Sequence, residues 1–292
     1  MSSFLQLLVS GLATGAIYAL VAVGFSLLWQ ASQTINFAQG EFVMVPAFFV
    51  LVAMHGLGLP FPAAALAGIA VAAILLGLLF RRAVVAPMLQ HGLLPLVVST
   101  IALSIFMREA VKDFYSAQAQ PFPSLVADRD IEVFGTVFSL QSLVVLAVAV
   151  LVTAGLHVFL QHTRLGRMMQ ATAQNRAVAQ IVGIDVDRMV LLTFLINAML
   201  CAVASILISP IYLAKFTNGE TLGQAAFVAA IIGGFNQTRG AMVGGLLLGV
   251  LDNLCAAYLS AQYRSALPLF LLVLFILFRP QGLMGRVEER TV

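Results

Sequence analysis

The chain has 292 residues, 61% of them hydrophobic and only 9% charged, with a mean hydropathy of +1.03; this excludes a soluble globular domain. Uncharged runs of about 20 residues and more exclude a transmembrane β-barrel, whose strands need only about 10. The net charge of +3 is no nucleic-acid signature, because basic residues of a membrane protein sort onto its cytoplasmic loops.

The first run, residues 4–28, has no basic residue before it and no small-residue cleavage context after it, so it reads as a retained helix. The polar stretch QTINFAQGEF, residues 33–42, then precedes a run at 42–54. Further runs cover 60–80, 93–107, 140–160, 189–210, 222–236, 240–260 and 265–279. This is an all-α polytopic membrane protein with about nine crossings (eight to ten) in one transmembrane domain, 1–292. The runs 42–54 and 222–236 are short for a span, which predicts broken or re-entrant helices. Arg81 and Arg82, the arginines of 161–188, and Arg279, Arg286 and Arg290 mark the cytoplasmic side, while the acidic loop 108–139 and the segment 211–221 mark the outside. The amino end is then outside and the carboxyl end inside.

An offset of 185 residues aligns Asn36–Val43 with Thr221–Val228. Each copy begins with a capping residue and carries Gln39 or Gln224 three positions later, the spacing of a capping box. Because these are the second and seventh crossings, they enter from opposite sides, as an inverted internal repeat requires. A capped start at membrane depth turns backbone N–H groups and the positive end of the helix dipole toward a cavity; at the water boundary it only stops fraying. The candidate substrate pathway is Asn36, Gln39, Gln224 and Phe227, with Glu41 and Asn253 beside them. Asp252 reads either as a structural polar contact, with Arg264 about three turns on, or as a pathway group.

Gly11-x-x-x-Gly15, Gly240-x-x-x-Gly244 and Gly245-x-x-x-Gly249 are close-packing patterns, within one subunit or between two. Pro46 and the Gly233–Gly234 pair are points where the repeat helices could unwind. Trp29, Tyr18, Tyr258 and Tyr263 read as interface anchors or packing aromatics. Cys201 and Cys255 lack metal-site or disulfide spacing, and no metal is expected.

The segment 163–189 alternates apolar and polar residues at helical spacing, predicting one or two amphipathic helices on the cytoplasmic face, with Gly183 as a cap. It suits either a lipid surface or a groove on a partner. The two lysines, Lys112 and Lys215, stand in no phosphate loop, and nothing suggests chemistry on a substrate. The chain reads as a transport subunit rather than an enzyme, with any ATPase a separate subunit.

Four stretches carry a resemblance: GAIYALVAVGFSLLW with INFAQGEF at 15–42, RLGRMMQATAQNRAVAQIVGI at 164–184, AAFVAAIIGGFNQTRGAMVGGLLLGVLDN at 225–253, and LFRPQGLMGR at 277–286. Together they resemble the permease family of branched-chain amino acid ABC importers. The resemblance implies an inner-membrane permease that pairs with a second homologous permease, as a homo- or heterodimer. Two cytoplasmic ATP-binding subunits, which hold the ATP-Mg, and a periplasmic binding protein complete the assembly. It also implies that 161–188 is the coupling loop seated on the ATPase, through Arg164, Gly166, Arg167, Arg176 and Gly183. Cargo would be a branched-chain amino acid or a related amino acid, amide or urea. An ion-coupled carrier or a facilitator channel for a small polar solute is the competing class.

Overall fold

A computed structural model describes residues 2–126, 130–133, 136–264 and 266–285; Arg286 and Arg290 lie outside the described residues. The helices are α1 (Ser2–Ser32), α2 (Gln39–Leu57), α3 (Phe61–Leu89, with π-helical turns over Ala73–Leu79 and Arg81–Val85), α4 (Leu93–Phe114), α5 (Leu140–His162), α6 (Arg164–Gln174), α7 (Arg176–Ile181), α8 (Val186–Tyr212), α9 (Asn218–Gly233), α10 (Thr238–Tyr258) and α11 (Ala266–Phe278). A small antiparallel hairpin, β1 (Asp130–Val133) and β2 (Thr136–Ser139), precedes α5. Among the described residues seven helices are long and apolar enough to cross a membrane: α1 to α5, α8 and α10. Helices α9 and α11, of 16 and 13 residues, are shorter.

Helix α1 is the axis, with α10, α8, α9 and α5 packed around it. Its glycines decide the tightest crossing. The Gly11 and Gly15 face lies on the backbone of Gly245, Val250 and Gly249, where an added Cβ would come within 2.9 Å of backbone atoms. Gly240 and Gly244 meet Gly233 and Ala229 of α9 in the same way. The small-xxx-small patterns therefore serve packing inside one chain. Helices α3, α4 and α5 lie at the periphery, exposing Leu66, Leu94, Phe106 and Leu151; such faces suit lipid contact.

Backbone pairing sorts the loops. Gln120 and Ala214 form a β-bridge, joining at one end the two segments that the charge count assigns to the outside. At the other end, Arg81 pairs with Asp187 at 2.7 Å, Arg176 donates to the Ala31 carbonyl, and the N–H groups of Leu283 and Met284 donate to the last carbonyls of α9, Ile232 and Gly233. The arginine-rich regions thus share an end.

Several expectations need correction. Helix α2 is neither short nor broken: it runs 19 residues, about 28 Å, continuously past Pro46 to Gly58 in the left-handed conformation. Neither capping box forms. Helix α2 begins at Gln39 rather than Asn36, and α9 begins at Asn218, so Thr221 lies in its first turn and bonds back to the Asn218 carbonyl. The two starts therefore do not align at the offset of 185. The Gly233–Gly234 pair ends α9 instead of unwinding it, with Gly234 at φ 109 as the cap. Of the two readings of Tyr18, interface anchor or packing aromatic, the structure bears out the second: it is buried against Asp252.

Candidate substrate site

Helix α1 ends at Ser32, and six residues carry the chain back alongside it before α2 begins. The start of α2 is held there by amides. Gln39 Nε2 donates to Asn197 Oδ1 at 2.6 Å and Asn197 Nδ2 returns to Gln39 Oε1 at 3.0 Å. Both side chains are fully buried, and Gly24 of α1, which has no Cβ to collide with them, leaves the room. Asn36 Nδ2 adds a longer bond to Gln39 Oε1, while Asn36 Oδ1 accepts from the Ala38 N–H. A mutually satisfied amide pair is the stable arrangement for polar groups without water, which explains why Gln39 turns from the cap to Asn197. Since Gly24 lies eight residues before Ser32, the start of α2 is about 12 Å in from the end of α1.

The start of α9 meets the start of α2 at this depth. Gly40 lies on Gly219 and Gly223, so that a Cβ on Gly40 would overlap the Gly219 carbonyl and one on Gly223 would come within 2.7 Å of Gly40 Cα. Only glycine permits this approach. The crossing borders a cavity of about 320 Å³ between α1, α2, α4 and α9. Its polar lining is Glu41, Ser104, Arg108, Glu220 and Gln224, and its apolar wall includes Phe25, Phe37 and Phe227. Phe227 is the hub of the aromatic wall, edge-on to Phe25 at 5.6 Å and to Phe235 at 5.8 Å.

Glu41 is 2% exposed. Its Oε1 accepts from the Ser104 hydroxyl at 3.1 Å, and its Oε2, against Gly219, has no hydrogen-bond partner among the described residues. Arg108 pairs with Glu220 at 2.8 Å in a more exposed position. The arrangement joins a buried carboxylate, a nearby guanidinium and an aromatic wall around a volume fit for a small solute.

The structure thus brings Glu41, Gln224 and Phe227 around one cavity. It leaves Gln39 and Asn36 behind the cavity, in the amide network, and Asn253 between α1 and α10, donating to the Gly249 carbonyl and Thr14. Sequence reasoning missed Ser104, Arg108 and Glu220. The apolar run 93–107 stops one residue short of Arg108, but the helix continues to Phe114 and carries Arg108 on it.

At the arginine-rich end, three side-chain caps cut the chain into separate helices: Thr163 accepts from Gly166 N, Asn175 from Val178 N and Asp185 from Arg188 N. Gly166 packs on Leu160 at the end of α5, and Arg176 turns inward to Ala31, where burial lowers its pKa against the opposing pull of Asp187. Gly183, at φ 84, closes α7. Arg164, Arg167, Val178, Ile181 and Val182 remain exposed; Ile181 is 83% exposed.

A helical membrane protein with a cavity at two crossed helix starts and a separate pair of surface helices has the anatomy of a transport subunit, and comparison specifies which. The family model described as branched-chain amino acid transport system / permease component matches residues 7–277. The chain belongs to that family. The permease protein LivH of the high-affinity branched-chain amino acid transport system of Salmonella typhimurium is 33% identical, over 99% of this chain and 98% of that protein. The corresponding BraD protein of Pseudomonas aeruginosa is 34% identical over the same shares, and a probable LivH of Methanocaldococcus jannaschii is 25% identical over 91% of this permease and 88% of its own length. No solved structure matches this chain.

Proposed function

We propose that this permease is the membrane-spanning subunit of an ATP-driven importer, which passes a branched-chain amino acid or a related amino acid, amide or urea from a periplasmic binding protein to the cytoplasm. The observation that carries the reading is the cavity at the crossing of α2 and α9, where Glu41, Gln224 and Phe227 combine a charged end with an aromatic wall. Such a lining suits a small solute with a cationic group and an apolar side chain. In this reading the bacterial inner membrane holds the chain with its amino end periplasmic and its carboxyl end cytoplasmic, paired with a second permease.

The coupling surface is α6 and α7, through the exposed Arg164 and Arg167 and the apolar Val178, Ile181 and Val182. Gly166 and Arg176 tie the segment to α5 and α1, and Gly183 ends α7. Two ATP-binding subunits seated there close on ATP, draw α6 and α7 with them and tilt the bundle, so that the solute moves past the crossing. Gln39 and Asn36 hold the start of α2 in register while this occurs.

The test is uptake of labelled leucine into vesicles containing the permease pair, the ATPases and the binding protein. Uptake should require both ATP and the binding protein. Leucine accumulation by the permease alone under a proton gradient would overturn the reading in favour of an ion-coupled carrier.

A further inference from the structure

On the other face of α9 lies a second cavity, of about 330 Å³, lined at one end by Tyr18, Tyr212, Asp252 and Arg264 and along its wall by Ile208, Leu222, Ala225 and Pro268. Asp252, 2% exposed, accepts at one oxygen only: Oδ2 receives Arg264 Nε at 2.8 Å and Tyr18 Oη at 3.1 Å. Its Oδ1 is buried and without a partner among the described residues. Arg264 also donates through Nη2 to Tyr212 Oη and lies over the Tyr212 ring at 5.3 Å, so its plane is fixed. Of the five N–H donors of a guanidinium, these two contacts employ two.

A structural ion pair between α10 and the 3-10 turn that follows it, Ala261–Arg264, needs neither the cavity nor the unpaired oxygen. An unpartnered buried carboxylate oxygen is costly, and a ligand cation is the group that would remove the cost. The guanidinium beside it offers a planar fork for a carboxylate. The pair is neutral in sum, so it favours a ligand that is also neutral in sum but carries both charges. The aliphatic wall begins where the charged end stops.

We propose that this cavity is a second binding site, for a zwitterionic α-amino acid with an aliphatic side chain, whose ammonium meets Asp252 Oδ1 and whose carboxylate meets Arg264. The inference rests on the reading that the cargo is an amino acid. Gln224 lines both cavities, so a solute moving from one to the other passes its amide.

The test uses the full chain in lipid nanodiscs, with Cys201→Ala and Cys255→Ser to silence the native thiols and Thr221→Cys to report on the cavity by maleimide labelling. Leucine at about ten times its dissociation constant should slow labelling roughly 10-fold. The same concentration of 4-methylpentanoate, which lacks the ammonium, or of isopentylamine, which lacks the carboxylate, should leave the rate within about 2-fold, given the loss of a charged hydrogen bond. Asp252→Asn and Arg264→Gln should each raise the half-protecting leucine concentration by about 10- to 100-fold, with Arg264→Lys intermediate. Ala225→Leu fills the apolar wall without touching the ion pair, and keeps the test readable if the charge variants fail to assemble; it should abolish protection at the same leucine concentration.

A labelling rate indifferent to leucine overturns the site, and equal protection by 4-methylpentanoate overturns zwitterion recognition. Protection without ATP-driven uptake by the complete importer would leave the site standing and sink the transport reading, whereas uptake without protection does the reverse.

Discussion

The two cavities on either side of α9 share a plan and differ in how their carboxylates are held. Asp252 is clamped by Arg264 and Tyr18, so its charge is compensated by this chain itself. Among the described residues Glu41 has only the Ser104 hydroxyl, while the nearby Arg108 is committed to Glu220. The clamp ties α10 and the turn after it to Tyr18 of α1 and to Tyr212 at the end of α8. A carboxylate held by one hydroxyl is free to change partner as a solute passes. On the readings proposed above, the first arrangement suits a station and the second a passage.

Four substitutions break or sharpen this contrast. Gly40→Val should have the largest effect, because its side chain has nowhere to go but into the Gly219 carbonyl; we expect a loss above about 4 kcal/mol, read as failure to recover folded protein after mild detergent extraction. Arg264→Ala leaves Asp252 buried without its counter-charge. It should cost about 3 kcal/mol, the low end for a broken buried pair, because the Arg264 side chain keeps 31% of its surface exposed. Thermal unfolding of the purified permease measures it, and Asp252→Asn in the same chain should recover most of the loss.

Glu41→Gln keeps the bond from Ser104 and removes the charge, so the unfolding temperature should hold while leucine uptake falls about 10-fold or more. Unchanged uptake would put Glu41 outside the passage. Arg108→Gln should do least. Its pair with Glu220 is partly exposed, and loss of such a pair costs under about 1 kcal/mol, measurable as a small shift in unfolding and a weaker salt dependence of uptake.

The sequence made the membrane class, the long spans, the two surface helices and the Gly183 cap legible because each depends on neighbours within a turn or two. Glu41, Gln224 and Phe227 could be singled out as polar or aromatic interruptions at helix starts. What stayed hidden is pairing at a distance. Gln39 with Asn197 and Tyr18 with Asp252 join residues 158 and 234 positions apart, and no local pattern announces them. The capping-box reading failed for the same reason. It supplied a local partner for Gln39, and the folded chain supplied a better one.

The last two carbonyls of α9 are satisfied by Leu283 and Met284, residues that leave the ribosome long after the helix they cap. Helix α9 flanks both cavities with its first turns and is sealed at its far end by a segment that lies much later in the chain, so the wall the two cavities share is anchored by residues that line neither.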